Sequence, residues 1–295
     1  MKQKVGFIGL GNMGFPMVKN LMEAGFQVCG FDVDKKKEEE LAELGGEVGF
    51  TYITLANEVD VILSSLPTPG IVKSVYLEEE GLVASSAAGT LLVDLNTISP
   101  ELDREIGKIA KEKEVHYLGA PVSGSVSGAE AASLSIMVGG EKSSYDHALP
   151  YLEALGVNIF HVGEDYGLGT MVKLINNMLA GIHTQAAAEA LSIADAVGLD
   201  QKDVCEIIEK STGQSAMLTR NYQNFISRDE YYEGSFTNAL LLKDVKLANE
   251  VSASYNNELT LGKVLSEYLE DNIKDYENMD MSSTYLMLKN KKAHS

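Results

Sequence analysis

A glycine-rich turn, Gly9-Leu10-Gly11-Asn12-Met13-Gly14, lies near the start of this 295-residue chain. The apolar run Val5–Leu10 leads into it and is typical of a buried strand, whereas Phe15–Ala24 has the apolar spacing of a helix. An acidic residue, Asp32, ends the next strand-like run about 20 residues after the glycines. This order of strand, turn, helix, strand and acid predicts a βαβ unit that binds a dinucleotide, although a plain βα turn would fit the glycines alone.

Each residue type in the turn has an expected role. Gly9 would permit the tight turn, and Gly11 would let the backbone approach a pyrophosphate. Gly14 would let the helix pack closely on the strand. The helix N-terminus, which the chain reaches through Asn12 and Met13, would face the phosphates.

The acid after the second strand bears on the choice of cofactor. Asp32 would accept hydrogen bonds from the adenosine ribose hydroxyls and would repel a 2′-phosphate. The sequence therefore favours NAD over NADP. Lys35, Lys36 and Lys37 follow closely and would soften that repulsion, so NADP stays the second candidate.

The pattern of the chain changes near residue 165. Before it, short strand-like runs alternate with helical stretches, which predicts a parallel sheet with helices on both faces. These runs are Gln27–Phe31, Val59–Ser64, Leu91–Asp94, Val115–Tyr117 and Ser135–Val138. After it the pattern is helical, in Gly167–Val197, Gln201–Lys210, Phe236–Ser254, Leu259–Lys274 and Ser282–Lys291. The predicted fold class is α/β, a Rossmann-like doubly wound parallel sheet in residues 1–164, followed by an all-α domain in residues 165–295.

Composition excludes several classes of function. With 24 Lys and Arg against 43 Asp and Glu, the net charge is −19, which argues against nucleic acid and anionic membrane as partners. No apolar run is long enough to span a membrane. Two isolated cysteines, Cys29 and Cys205, suggest a reduced, cytoplasmic protein, and the histidines have no metal-ligand spacing.

A candidate catalytic lysine lies in the segment Gly167–Asn177. Lys173, Asn176 and Asn177 share one helix face, and their apolar neighbours Met171, Val172, Leu174 and Ile175 would bury that helix. Beside a dinucleotide, such a lysine can protonate a carbonyl oxygen as a hydride arrives at carbon. The plainer alternative is a surface lysine lying over apolar neighbours, and spacing alone leaves both open.

Four ordered blocks of this chain resemble the β-hydroxyacid dehydrogenase family. They are Gly6–Leu21, Gly119–Gly140, Gly167–Asn177 and Leu242–Val245. The resemblance implies a Rossmann-like first domain, a helical 6-phosphogluconate dehydrogenase-like C-terminal domain and a homodimer or homotetramer. It also implies an NAD-dependent oxidoreductase for a small 3-hydroxy carboxylate or its semialdehyde, of the 3-hydroxyisobutyrate, 2-(hydroxymethyl)glutarate or tartronate semialdehyde type.

The same resemblance implies roles for individual residues. Lys173 becomes the general acid/base and Asn177 a partner of the lysine and the substrate. Ser123 and Gly124 become the anchors of an anionic carboxylate substrate. Ser125, which departs from the family pattern, is a further predicted substrate-binding residue.

The implied cofactor contacts lie elsewhere in the chain. Leu66, Pro67 and Thr97 become neighbours of the nicotinamide, and Lys243 closes over the cofactor. No metal site is implied.

Departures from the family pattern leave the substrate open. Asn96 stands where most members carry Ser, Gly119 replaces the usual acid, and Ser125 and Ser133 stand where Gly is common. The alternatives are an NADPH-dependent glyoxylate or succinic semialdehyde reductase and a non-catalytic dinucleotide-binding protein. A lyase in which Lys173 forms a Schiff base is a third alternative.

Overall fold

The computed structural model describes residues 3–232 and 236–293, with side chains as far as residue 290. The chain divides into two compact units, Met1–Lys173 and Leu174–Ser295, so that the division falls inside one long helix.

The first unit contains a mixed sheet with helices around it. Its strands are β1 (Lys4–Ile8), β2 (Gln27–Phe31), β3 (Val61–Ser64), β4 (Leu91–Asp94), β5 (His116–Gly119), β6 (Val122–Ser123), β7 (Leu134–Gly139) and β8 (Gly156–Gly163). Its helices are α1 (Gly14–Glu23), α2 (Lys35–Glu43), α3 (Tyr52–Ala56), α4 (Pro69–Leu77), α5 (Leu82–Ser85), α6 (Pro100–Glu112), α7 (Ser125–Glu130) and α8 (Lys142–Glu153).

The strand order is β2-β1-β3-β4-β5-β7-β6, and β8 pairs with β7. The first five strands of the chain are parallel to one another. Strand β7 runs antiparallel to β5 and β6, so the prediction of a wholly parallel sheet is wrong at this edge. The prediction missed this because β6 has two residues and turns the chain back within a few positions.

Alternate residues of each strand enter two different cores, because successive side chains of a strand point to opposite faces. Val61 and Leu63 pack in one core and Ile62 in the other. One core includes Met17 of α1 and the other includes Val72 of α4. Helices therefore cover both faces, and the predicted doubly wound Rossmann-like class is confirmed.

The second unit is helical in its described residues. After α9 (Leu168–Ala196) come α10 (Gln201–Ile208), α11 (Ala216–Asn224), α12 (Asn238–Ser254), α13 (Thr260–Asn272) and α14 (Thr284–Ala293), with 3₁₀ turns at Ile226–Arg228 and Met281–Ser283. The predicted all-α region is confirmed, although α11 was not predicted.

Local signals place several helix ends. Asp200 caps α10 by accepting hydrogen bonds from the backbone N–H groups of Lys202 and Asp203, as predicted. Gly198, just after α9, has a φ of 76°, a left-handed conformation that glycine adopts without strain. Ser99 caps α6, whose first residue is Pro100.

Candidate functional site

The carboxyl ends of β1 and β3 lie side by side at the point where the order of the strands reverses. From β1 the chain passes to β2 on one side and then to β3 on the other side. In open α/β sheets, ligands bind outside the carboxyl ends of the strands at such a switch point. The glycine-rich turn after Ile8 and the loop after Ser64 both lie there.

The three glycines of the turn meet different surroundings. Gly9 has a φ of 92°, and a Cβ there would lie 2.0 Å from the carbonyl oxygen of Ser65. A Cβ on Gly14 would lie 1.9 Å from the carbonyl oxygen of Gly9, so the start of α1 needs a glycine. Around Gly11, by contrast, no described atom lies within 4 Å of the Cβ position, which leaves open space beside the exposed backbone.

The N-terminus of α1 is available to an anion. Met13 occupies the cap position, and no described side chain caps the helix there. The first N–H groups of a helix have no partner inside the helix and favour negative charge. Asn12, which precedes Met13, is exposed. This end of α1 therefore suits a pyrophosphate.

Asp32 is half-buried at the end of β2 and is held by two backbone groups. Its Oδ2 accepts from the Leu10 N–H at 2.6 Å, and its Oδ1 accepts from the Asp34 N–H at 2.8 Å. These bonds bring the carboxylate next to the glycine turn. Each carboxylate oxygen has a second lone pair with which to accept from a ribose hydroxyl.

Two of the nearby lysines are paired with glutamates. Lys35 Nζ lies 2.9 Å from Glu38 Oε2, and Lys37 Nζ lies 2.9 Å from Glu40 Oε2. Their charges are therefore partly neutralised, which weakens the case for a 2′-phosphate beside Asp32.

The loops after β3 and β4 are joined by a chain of hydrogen bonds. Asn96 Oδ1 accepts from the Leu66 N–H at 2.6 Å, and Asn96 Nδ2 donates to Asp94 Oδ1. Ser64 Oγ donates to the same Asp94 oxygen at 2.7 Å. Tyr76 donates to Ser64 at 2.8 Å, because the one hydroxyl hydrogen of Ser64 is already used. Asp94 is thus the common acceptor.

Asp94 is fully buried, and burial raises its pKa to about 6 against the opposing hydrogen bonds from Ser64 and Asn96. Two predicted cofactor residues adjoin this hydrogen-bond network in the sequence, because Pro67 follows Leu66 and Thr97 follows Asn96. Pro67 is exposed and Thr97 is half-buried.

A second buried acid holds the start of α9. Asp103 Oδ2 accepts from Thr170 Oγ1 at 2.6 Å, and Asp103 Oδ1 accepts from Tyr117 Oη at 2.7 Å. Burial and the charge of Asp94 raise the pKa of Asp103 well above its usual range. Lys173, one turn after Thr170, is 8% exposed.

The predicted substrate loop follows β6. Gly124 has a φ of 143°, and Ser125 has a φ of 58°, which is unusual for a residue with a Cβ. Ser125 Oγ donates to the Gly124 carbonyl at 2.6 Å, and Ser123 pairs with Ser135 of β7. Helix α7, which continues from this loop, packs on the glycine-turn helix α1.

In the second unit, the structure joins two predicted site residues through a third. Asn177 Nδ2 donates to Asp244 Oδ2 at 2.6 Å, and Lys243 Nζ lies 3.0 Å from Asp244 Oδ1. Asn177 and Asp244 are buried, at 4% and 1% exposed.

The prediction that apolar neighbours bury Lys173, Asn176 and Asn177 together is wrong in part. Asn176 is exposed and donates to Asn177 Oδ1 at 3.1 Å, so it does not share the burial of Lys173. Val172 and Ile175 are 36% and 49% exposed, whereas Leu174 is buried. The helix therefore has a buried side, with Lys173, Leu174 and Asn177, and an exposed side, with Val172, Ile175 and Asn176. Asn176 belongs to the exposed side although it is only three residues from Lys173.

Three acids of these networks were not among the predicted site residues, namely Asp94, Asp103 and Asp244. Asp94 and Asp244 adjoin segments that the sequence had marked, and their position beside these segments was the available signal. Asp103 had no such signal, because it reads as an ordinary acid in the first turn of α6.

Within the described residues, no helix is long and apolar enough to cross a membrane. A search of the same part of the chain finds no group of three or more histidine, cysteine or acidic residues arranged to hold a metal ion.

Two family models match the chain in sequence. The model for the NAD binding domain of 6-phosphogluconate dehydrogenase matches residues 4–163. The model for the NAD-binding domain of NADP-dependent 3-hydroxyisobutyrate dehydrogenase matches residues 167–288.

Individual proteins are similar over nearly the full length. 2-(Hydroxymethyl)glutarate dehydrogenase of Eubacterium barkeri is 36% identical over 90% of this chain and 88% of its own. 3-Hydroxyisobutyrate dehydrogenase of Pseudomonas aeruginosa is 35% identical over 97% of this chain and 99% of its own. The structure of Mycobacterium tuberculosis 3-hydroxyisobutyrate dehydrogenase with L-serine superposes with a TM-score of 0.89 at 32% identity, covering 98% of this chain and 99% of that one.

Proposed function

Because the chain belongs to the β-hydroxyacid dehydrogenase family and is an NAD-dependent hydroxyacid dehydrogenase, we propose that it interconverts a small 3-hydroxy carboxylate and its semialdehyde. The observation that carries this proposal is the burial of Lys173 on the same helix as Asn177. A lysine in so little water is suited to proton transfer at a reacting oxygen.

The first unit has the features that a dinucleotide requires. The open space beside Gly11 and the uncapped start of α1 would take the pyrophosphate. Asp32 would accept from the adenosine ribose, which supports NAD over NADP. Leu66, Pro67 and Thr97 would lie at the nicotinamide, and Lys243 is proposed as a further cofactor-binding residue.

In the reductive direction, a nicotinamide dinucleotide bound at this site would supply a hydride to the carbonyl carbon of the substrate. Lys173 donates a proton to the carbonyl oxygen, which becomes the hydroxyl oxygen of the product. In the oxidative direction, Lys173 accepts that proton as the hydride leaves the carbon. Such proton transfer contributes about 10²–10⁴-fold to the rate.

The remaining residues bind and orient the substrate. The hydroxyl of Ser123 and the backbone N–H groups of Gly124 and Ser125 would donate hydrogen bonds to its carboxylate, since the Ser125 hydroxyl already donates to the Gly124 carbonyl. Asp244 holds the Nδ2 of Asn177, so Asn177 presents its carbonyl oxygen as an acceptor. That oxygen would accept from the ammonium of Lys173 or from the substrate hydroxyl.

The test is NADH oxidation, followed by absorbance, against a panel of short aldehyde acids. The panel contains glyoxylate and the tartronate, methylmalonate and succinic semialdehydes. For the oxidative direction, followed as NAD⁺ reduction, a second panel contains 3-hydroxyisobutyrate, 2-(hydroxymethyl)glutarate and L-serine. L-serine is included because the M. tuberculosis structure contains it. We expect turnover that Lys173→Ala lowers by at least 10²-fold with NADH binding nearly unchanged. Lys263→Ala, at an exposed lysine of α13, is the matched control.

Each other outcome contradicts a part of the proposal. Full turnover in Lys173→Ala would show that Lys173 is not the general acid/base. NADH binding without turnover on the whole panel would favour a non-catalytic dinucleotide-binding protein. Substrate trapped on Lys173 by borohydride would favour a Schiff-base lyase.

We further propose that residues 1–164 form the dinucleotide-binding domain and residues 165–295 the substrate and oligomerisation domain. Exposed apolar side chains of the helical unit, among them Ile193 and Val197 at 65% each, support a homodimer or homotetramer. The two free cysteines are buried, which is consistent with a cytoplasmic location.

A further inference from the structure

We propose that Asn96 is a positioning residue for the nicotinamide half of the dinucleotide, because its amide fixes the loop after β3 to the loop after β4. This inference rests on the proposed function, since it concerns the same cofactor site. It assigns a task to a side chain that the proposed mechanism does not use.

Both ends of the amide are engaged. Asn96 Oδ1 accepts from the Leu66 N–H at 2.6 Å, and Asn96 Nδ2 donates to Asp94 Oδ1. Asp94 is itself fully buried, and its Oδ1 also accepts a hydrogen bond from Ser64 Oγ at 2.7 Å. The amide therefore connects the backbone of the loop after β3 to a buried carboxylate at the end of β4.

The bridge determines the orientation of one peptide plane. The N–H of the Ser65–Leu66 peptide points to Asn96. In a trans peptide the carbonyl points the opposite way, and the Ser65 oxygen indeed lies 2.0 Å from where a Cβ of Gly9 would be. The plane is thus held by Asn96 on one side and by contact with the glycine turn on the other.

The order of the strands indicates which half of the ligand this peptide would meet. Asp32 at the end of β2 would bind the adenosine ribose, and the turn after β1 would bind the pyrophosphate. Strands β3 and β4 continue on the other side of β1, at about 4.8 Å per strand. The half of the dinucleotide beyond the pyrophosphate therefore extends over the loops that Asn96 joins.

A shorter side chain cannot make both bonds. A serine hydroxyl can accept one hydrogen bond and donate another, but at position 96 it would lie closer to the backbone than either amide atom of asparagine and would not reach both present partners. It would leave either the Leu66 N–H or Asp94 without this partner. The peptide plane would then lose one of its two restraints.

The test compares two ligands on the full chain, NADH and ADP-ribose, which shares the adenosine and pyrophosphate but lacks the nicotinamide. We expect Asn96→Ser and Asn96→Ala to raise the NADH dissociation constant about 5–10-fold, in line with the loss of one hydrogen bond. The dissociation constant for ADP-ribose should stay within about twofold of the wild-type value. Asn158→Ser, at an exposed asparagine of β8, is the matched control and should change neither constant.

The outcomes separate this inference from the proposed function. If the wild-type chain binds no NADH, the proposed function itself fails. If it binds NADH and both Asn96 variants bind it equally well, only the positioning role fails. If both ligands weaken equally in the variants, Asn96 supports the whole domain, and the specific role at the nicotinamide half is overturned.

Discussion

Two carboxyl groups of the first unit, Asp94 and Asp103, are buried. Each is held by hydrogen-bond donors from other elements, Asp94 by Ser64 and Asn96, and Asp103 by Tyr117 and Thr170. Burial disfavours the charged form of a carboxyl group, and the donors only partly offset this. The ionisation of these two acids therefore affects the stability of the first unit.

We predict that Asp94→Asn changes the pH dependence of stability. The folded-state pKa of about 6 lies above the ordinary value of 3.8, so the stability that Asp94 contributes is present below about pH 4 and is lost as the pH rises through 6. Asparagine does not titrate. The free energy of unfolding of the variant, relative to the wild type, should therefore rise by about 2–3 kcal/mol between pH 4 and pH 7.

Urea unfolding of both proteins at intervals across this pH range measures the difference. Asp271→Asn, at an exposed acid of α13, controls for the loss of one carboxyl group. A difference between Asp94→Asn and wild type that is constant with pH would contradict the prediction.

Helix α9 approaches the sheet closely at its first turn. A Cβ on Gly169 would lie 2.2 Å from the carbonyl oxygen of Met137 and 2.7 Å from that of Gly119. Thr170 follows and is tied to Asp103. The element that carries Lys173 is therefore placed by backbone contact as well as by a buried hydrogen bond.

We predict that Gly169→Ala lowers the free energy of unfolding by about 1–3 kcal/mol, because the added methyl group has no space and the helix start must move. Turnover should also fall, since Lys173 lies one turn further along. Gly70→Ala in α4 is the control, because no described atom lies within 4 Å of its Cβ position and its φ is ordinary. It should be neutral or stabilising, by up to about 1 kcal/mol. If urea unfolding gives equal stabilities for Gly169→Ala and Gly70→Ala, the close contact between α9 and the sheet at Gly169 would be contradicted.

At the scale of the molecule, the chain combines an α/β unit and a helical unit, each with two apolar cores among its described residues. The net charge of −19 disfavours the binding of anions such as NADH or a carboxylate. Binding must therefore depend on local donors, namely the helix start at α1 and the backbone N–H groups of the loops. In the proposed function, the acid at position 32 favours NADH over NADPH.

We predict that NADH stabilises the chain more than NADPH does. At 100 times its dissociation constant, NADH should add about 2.7 kcal/mol to the free energy of unfolding. That corresponds to a rise of roughly 5–11 °C in melting temperature for a unit of this size. The same concentration of NADPH should give a smaller rise, because Asp32 repels the 2′-phosphate. Thermal melts with each cofactor measure this, and Asp32→Ser should narrow the gap. Equal shifts in the wild type would overturn the preference.

The local course of the chain could be predicted from its residues. The glycine turn, the change from strand-like to helical periodicity, the long helix α9 and the cap at Asp200 are all determined by residues within a few positions of one another. The order of blocks along the chain was also sufficient to recognise the family and hence the fold. These features follow from short-range sterics, hydrogen bonding and the period of the apolar residues.

Tertiary structure alone decided the partners of the buried acids and the direction of β7. Thr170 bonds to an acid 67 residues earlier in the chain, and Asn177 to one 67 residues later. Nothing in the neighbourhood of Asp103 distinguishes it from a solvated acid. Its role depends on which distant donors the folded chain brings to it and on how much water the packing excludes. Both are properties of the assembled cores, because burial is set by all the segments that meet at a point and not by any one of them.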